Sequence, residues 1–314
     1  MLEFNNILAG INFTRRDDIV IRFAKKISEL ANSQRVYFVH SVERVDIPKE
    51  IIRQYPELRP KTPEELKQDI KKKIEGYFDS STRTEVVIEV VEDNPLVRLL
   101  KTAKEKYADL IIIGRAHSIK YSSTMAGRLP ERLTRKSPCS VLIVLEDSNP
   151  EAIKNILVPV RFARPSRLAL EKAIEIAETV QASITCQCLF YVPAGYHKTG
   201  KTYQKVAEIM LNNCKNTYEK WVKEIDLKGV ELNPMFTLTT ENRQADDIAG
   251  TAEKGYDFLV IGSTVKSAPA AVLLGKTAEE LIWKTIVPML VVKEKGVTLK
   301  LLDVLLYGDE MPAF

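Results

Sequence analysis

No stretch of this chain approaches the run of about 18 apolar residues that a membrane span needs. The amino-terminal stretch MLEFNNILAGINF has no basic start followed by a long apolar core, so no secretory signal is expected. Cysteine is scarce. Cys139, Cys186, Cys188 and Cys214 are too few and too scattered to frame a chain of 314 residues with disulfides, and they fit a reducing, cytoplasmic compartment. Histidine is scarcer still, with only His40, His117 and His197. Zinc at Cys186 and Cys188 would therefore want for further ligands. Two residues apart in a strand, these cysteines face one side and read as buried structural thiols. A concentrated charge of one sign is missing as well. The 46 Lys+Arg stand against 42 Asp+Glu, a net charge of +4, without the basic patches of a nucleic-acid binder.

What the chain does have is itself, twice. NNILAGINF (5–13) aligns with KNILVPVRF (154–162), which places Asn6 on Asn155 and Phe13 on Phe162. YADLIIIG (107–114) aligns with GYDFLVIG (255–262), which places Asp109 on Asp257 and Gly114 on Gly262. Gly127 falls on Gly275 and Glu131 on Glu279 at nearly the same spacing. Such a repeat is a duplication. Its join lies in the polar stretch EDSNPEAIK (146–154), and the expected domains are 1–147 and 153–295, followed by an extension over 296–314.

Within each half, short apolar runs alternate with helical periodicity. The strands of the first half are NILAGI, RVYFVHSV, TEVVIEVVE, DLIIIG and SVLIVL, with helices expected over 17–31, 63–78, 95–107 and 128–137. Those of the second are ILVPV, SITCQCLFYV, VELNPMFTLTT, DFLVIG and PMLVVK, with helices over 166–180, 202–225, 245–254 and 276–285. The lysine-rich run 67–75 carries Ile70 and Ile74 between its charges and reads as one wet helix face. Tyr218 and Trp221, on the long helix 202–225, read as packing residues. Strand–helix alternation implies an α/β fold: two doubly wound, five-stranded parallel sheets, each with a crevice at the carboxyl ends of its strands.

ADLIIIG, a glycine-bearing loop and then ERLTRKSPCSVLIV resemble the C-terminal signature of the universal stress protein family. SRLALEKAIEIAETV resembles the helix that follows the family's first strand. The resemblance covers 2–146 and 153–294, as in the tandem branch of the family. It implies Rossmann-like domains of the adenine nucleotide alpha hydrolase type with strand order 3-2-1-4-5. It also implies pairing through the last strand of each domain, here within one chain as a pseudo-dimer, with a homodimer as the other assembly the family uses.

ATP-binding members carry Gly-x-x-Gly-x9-Gly-Ser/Thr after the fourth strand and an Asp after the first. The first half places Gly114, His117, Gly127 and Arg128 at the loop positions, with Asn12 for the Asp. The second places Gly262, Val265, Gly275 and Lys276, with Thr277 one position late and Arg161 for the Asp. Both halves keep the outer glycines and lose the middle one. Val265 is β-branched and resists the backbone geometry that glycine allows there. Arg115, His117, Lys120 and Arg128 offer donors to an anion, so any remaining nucleotide affinity is expected in the first half. The alternative is that these are solvated loop residues. GKT at 275–277 is not a P-loop, because Ala270 stands where the first glycine belongs.

No catalytic set, HxGH or SGGxDS motif is present. The expectation is a non-enzymatic stress-response protein that binds a protein partner or small-molecule ligand, with no metal, membrane or nucleic-acid partner. ATP is the one cofactor left open. The rivals are an ATP-binding, slowly hydrolysing regulator that uses loop 114–128, and a small-molecule carrier. For the extension, the stripe of Leu299, Leu302, Leu305 and Leu306 predicts a helix docked on its own protein.

Overall fold

Ten short apolar runs become ten strands, and nine helices cross between them among the described residues. The computed structural model describes residues 2–42, 46–78, 82–116, 129–240, 242–263 and 274–294. The extension 296–314 lies outside them, as do His117, Lys120, Gly127, Arg128 and Val265. The first half runs β1 (Asn6–Ile11), α1 (Arg16–Leu30), β2 (Arg35–Val42), α2 (Lys49–Gln54), α3 (Pro63–Ile74), β3 (Glu85–Glu92), α4 (Pro95–Glu105), β4 (Leu110–Arg115), α5 (Leu129–Lys136) and β5 (Ser140–Leu145). The second runs β6 (Asn155–Val160), α6 (Arg164–Val180), β7 (Ser183–Phe190), α7 (Tyr203–Val222), β8 (Leu232–Leu238), α8 (Gln244–Ala252), β9 (Phe258–Gly262), α9 (Lys276–Lys284) and β10 (Met289–Val292). Helix starts follow local chemistry. Thr62 and Glu65 close a capping box on α3, with Pro63 in its first turn, and Asn94 and Thr202 cap α4 and α7.

The strands lie in the order β3-β2-β1-β4-β5-β10-β9-β6-β7-β8. Each half is thus a parallel sheet in order 3-2-1-4-5, as the resemblance implies. The two sheets are not separate, however. β5 and β10 pair antiparallel, Met289 opposite Ile143 and Val291 opposite Val141, so ten strands form one surface. An apolar strand edge left open invites association; here each half covers the other's, and β5 and β10 are buried throughout. One core layer gathers Ile19, Phe23 and Ile27 of α1 with Leu170, Ala173 and Ile174 of α6. The opposite layer gathers Leu96 and Leu99 of α4 with Ile248 of α8 and Leu281 of α9. Both layers run across the junction, which makes the halves an intramolecular pseudo-dimer.

The repeated marks have structural causes. Asp109 accepts the backbone N–H of Asn6 at 3.1 Å and Asp257 that of Asn155 at 2.9 Å, tying the start of the fourth strand to the first in each half. A Cβ on Gly114 would stand 2.7 Å from Cβ of Arg16, and one on Gly262 would stand 2.0 Å from the carbonyl oxygen of Pro165. These glycines admit the first turn of α1 and of α6 across the strand end. Phe13 and Phe162 both sit at positive φ, 57° and 53°, where the chain leaves the first strand for the helix.

At the junction, each half sends one buried cation onto a helix carboxyl end of the other. The Arg115 guanidinium donates to the carbonyls of Trp283 and Thr285, at the end of α9. The Lys293 ammonium donates to the carbonyls of Arg135 (3.2 Å) and Ser137 (2.8 Å), at the end of α5. Orphan carbonyls and the negative end of the helix dipole favour a cation there. Burial pushes Arg115 down to about 10 and Lys293 down to about 7. The acceptors correspond between halves but the donors do not: one comes from the end of β4, the other from just past β10.

Candidate functional site: two unequal crevices

Both halves open a crevice where the first and fourth strands end, and the two differ. In the first, Gly10, Ile11, Asn12, Val39, Ile113 and Gly114 line a space of about 70 Å³. Its floor is occupied from within. The Arg16 side chain lies across Gly114. Beside it, the Asp17 carboxylate is 2% exposed; it accepts the backbone N–H of Asn12 at 3.0 Å and the Lys73 ammonium at 2.7 Å. The Asn12 side-chain oxygen is itself taken by the Thr14 hydroxyl at 2.6 Å. The first half therefore carries its own anion at the start of α1, where a helix N-terminus favours one.

The second crevice is about 610 Å³, within the range of roughly 300–1,000 Å³ typical of small-molecule sites. Ser166 stands where the first half has Asp17, and its hydroxyl oxygen accepts the Arg161 backbone N–H at 3.0 Å, the same bond without the charge. The Arg161 guanidinium donates to Oε1 of Gln244, which also accepts the Thr277 hydroxyl at 3.2 Å. Two donors on that oxygen fix the amide's orientation and leave Nε2 as its donor end. Pro159, Phe162, Leu189, Tyr191, Ile248 and Ile261 supply apolar wall. α6 and α9 both begin here without a side-chain cap, at Ala163 and Gly275. The first N–H groups of α9 look for acceptors, while α6 has Pro165, without an N–H, as its second residue.

Of the residues singled out in the sequence, Asn12 and Gly114 line the first crevice, and Gly262, Gly275, Lys276 and Thr277 line the second. Arg115 does not join them. Buried at 2% exposure, it donates to its neighbour Ala116 and to the other half's Trp283 and Thr285 carbonyls, and belongs to the junction. Sequence reasoning missed Arg16, Asp17, Ser166 and Gln244. The repeat offset that pairs Asn12 with Arg161 also pairs Asp17 with Ser166, a signal that was available. Gln244 was not readable, because it meets Arg161 only through the fold. Cys186 and Cys188 face α7 in the core; burial pushes the Cys186 thiol up to about 12 and Cys188 higher, which suits inert packing. No helix among the described residues is long and apolar enough to cross a membrane.

Comparison with known proteins agrees with this geometry. The universal stress protein family matches the chain at residues 3–144 and again at 152–293. A universal stress protein of Methanocaldococcus jannaschii is 25% identical over 158 residues, which is 46% of this chain and 96% of that protein, so the relative has the length of one half. Two solved structures share the whole double fold. A universal stress protein from Archaeoglobus fulgidus is 16% identical with a TM-score of 0.63, over 92% of this chain and 98% of its own. A protein of unknown function from Pseudomonas aeruginosa is 18% identical with a TM-score of 0.63, over 96% of each. At such identities these structures speak for the fold alone. The chain belongs to the universal stress protein family and carries two of its domains in tandem.

Proposed function

We propose that this protein is a non-enzymatic regulator of the stress-response type, that it acts by binding a small-molecule ligand and relaying the bound state to a partner, and that its ligand crevice lies in the second half. The observation that carries this reading is the contrast in volume, about 610 Å³ against about 70 Å³ in crevices of common origin. Open space with an apolar wall and a few convergent polar groups is the usual form of a ligand site. The lining favours binding over catalysis. Its hydroxyls, Ser166 and Thr277, have no His, Asp or Glu beside them among the described lining residues to act as base. The expected first-half preference, drawn from cationic loop residues, gives way in this proposal because Arg16 and Asp17 fill that crevice.

The test is the small molecule released when the purified full chain is denatured, identified by mass. Leu189→Trp narrows the second crevice and Ser41→Trp the first. Leu189→Trp should remove the released molecule and Ser41→Trp should leave it. Release of ATP that survives Leu189→Trp and disappears with Ser41→Trp would establish the rival reading, a nucleotide regulator working through loop 114–128.

A further inference from the structure

The ten-stranded sheet has two ends, and they are finished differently. β3 closes it on one side and β8 on the other. The Glu85 N–H donates to the Gln34 carbonyl at 2.9 Å, so Glu85 points its backbone groups at β2, and Val87, Glu89 and Val91 follow. Val86, Ile88 and Val90 therefore turn their N–H and C=O groups outward, where nothing among the described residues bonds them. All three are half-buried and pack their side chains on the α3 side. Two glutamates of the strand are held by their own chain. Arg35 meets Glu85 at 2.6 Å, and Arg98 and Lys106 meet Glu89 at 2.7 and 3.3 Å from α4 and its end.

β8 carries the same outward row, with one change. In the first half Ala9 lies beside Phe38 and Phe38 beside Ile88; in the second Val158 lies beside Cys186 and Cys186 beside Pro234. Pro234 thus stands where the first half has Ile88. The Ile184 N–H donates to the Glu231 carbonyl, which turns Leu232, Pro234 and Phe236 outward. Proline has no N–H to offer, and the outer side of an edge strand is where a sheet tolerates it. One end of the sheet is stopped and the other is open. An open apolar edge is a template for a further strand.

We propose that β3 pairs antiparallel with β3 of a second copy of this chain, centred on Ile88, and that the two chains form a closed dimer through this edge. A two-fold axis normal to the sheet reverses the strand and keeps its faces, so residues of the α3 side meet residues of the α3 side. Centring on Ile88 sets Ile88 against its copy and Val86 against Val90 of the second copy. Each of these pairs joins outward-facing residues and exchanges two N–H···O bonds. On the other face the same register sets Val87 against Glu89 and Glu85 against Val91. Moving the centre to Glu89 sets that glutamate against its copy, and moving it to Val87 sets Glu85 against Glu89. Like charges directly opposite disfavour both. The strand thus specifies its own copy and one register. Because Pro234 stops the far edge, growth ends at two chains, where two open edges would build a filament.

The test is the mass of the full chain by sedimentation, from about 1 μM to about 100 μM. The expected result is a reversible dimer. Ile88→Pro copies the residue of β8 and removes only an outward N–H. It should keep the circular dichroism of wild type and raise the dimer dissociation constant by about tenfold or more. Register is read by cysteine cross-linking under mild oxidation, since the native cysteines are buried. Ile88→Cys should link to itself, because opposite Cα atoms of a hydrogen-bonded pair lie about 5.5 Å apart. Val86→Cys and Val90→Cys should link only when mixed. If Ile88→Pro does not fold, the cross-links decide alone. A monomer at every concentration overturns the proposal, as does a dimer that Ile88→Pro leaves unchanged or one that links Val86→Cys to itself. A different polypeptide that co-purifies one-to-one with wild type and is lost from Ile88→Pro also overturns it, and would make β3 the docking strand for that segment.

Discussion

The first crevice is narrow and the second wide, about 70 Å³ against about 610 Å³, although both descend from one sequence and keep the same strands and outer glycines. Three substitutions account for the difference. Arg16 corresponds to Pro165, Asp17 to Ser166 and Asn12 to Arg161. In the first half the α1 side places an arginine over the strand end and a carboxylate beneath it. In the second a proline takes the arginine's position, and the carboxylate becomes a hydroxyl. Duplication preserved the scaffold while a few side chains set how much room each crevice keeps.

The glycines test the scaffold side of that comparison, and the largest effect is expected there. Gly262→Ala drives a Cβ against the backbone carbonyl of Pro165, which cannot rotate aside, whereas Gly114→Ala meets the side chain of Arg16. In urea unfolding of the full chain, Gly262→Ala should cost about 3 kcal/mol or more and Gly114→Ala about 1 kcal/mol. Equal costs would mean that the two helix starts approach their strands alike.

Asp17→Ser makes the first crevice resemble the second. It keeps an acceptor for the Asn12 N–H, as Ser166 does for Arg161, but takes the carboxylate away from Lys73, and about 1 kcal/mol of stability should go with it. The reverse change, Ser166→Asp, meets the same backbone donor and should leave stability within about 1 kcal/mol of wild type.

The junction cations give the finest comparison. The folded-state value of Lys293, about 7, lies below its ordinary 10.5. Between those values the unfolded chain holds a proton that the folded chain has released, so this residue makes stability rise with pH across that window and leaves it flat below. Lys293→Met should remove this part of the slope, a difference on the order of a few degrees in Tm between pH 7 and pH 9. Arg115→Met should leave the slope in that interval unchanged, since Arg115 stays charged up to about 10. Parallel pH profiles for wild type and Lys293→Met would place the proton elsewhere.

Much of the fold was legible because parallel strands buried on both faces leave continuous apolar runs, as LIIIG and FLVIG do, and because the duplication printed each run twice. α2 went unread because it buries no residue and so carries no apolar stripe. The glycines were read for a place in a phosphate loop, and the fold adds a packing reason that the sequence does not show: each makes room for the first turn of a helix. Arg115 and Lys293 show the converse limit. A cation at a strand end reads as solvated, and only the neighbouring half reveals the carbonyls that bury it. The candidate site was half legible. The repeat offset placed Arg161 opposite Asn12, while Gln244, 83 residues further on, had no mark to join it to Arg161.

The antiparallel pairing of β5 with β10 has a further meaning because both strands belong to one chain. Two separate subunits joined along this edge would come apart on dilution, and every substitution in one would appear in the other. A single chain escapes both constraints. Its pairing does not depend on concentration, and its halves inherit mutations independently. That freedom lets the junction take an arginine from one side and a lysine from the other. It also lets the two crevices differ in size and in the charge of their lining, which no symmetric pair encoded by one copy could do.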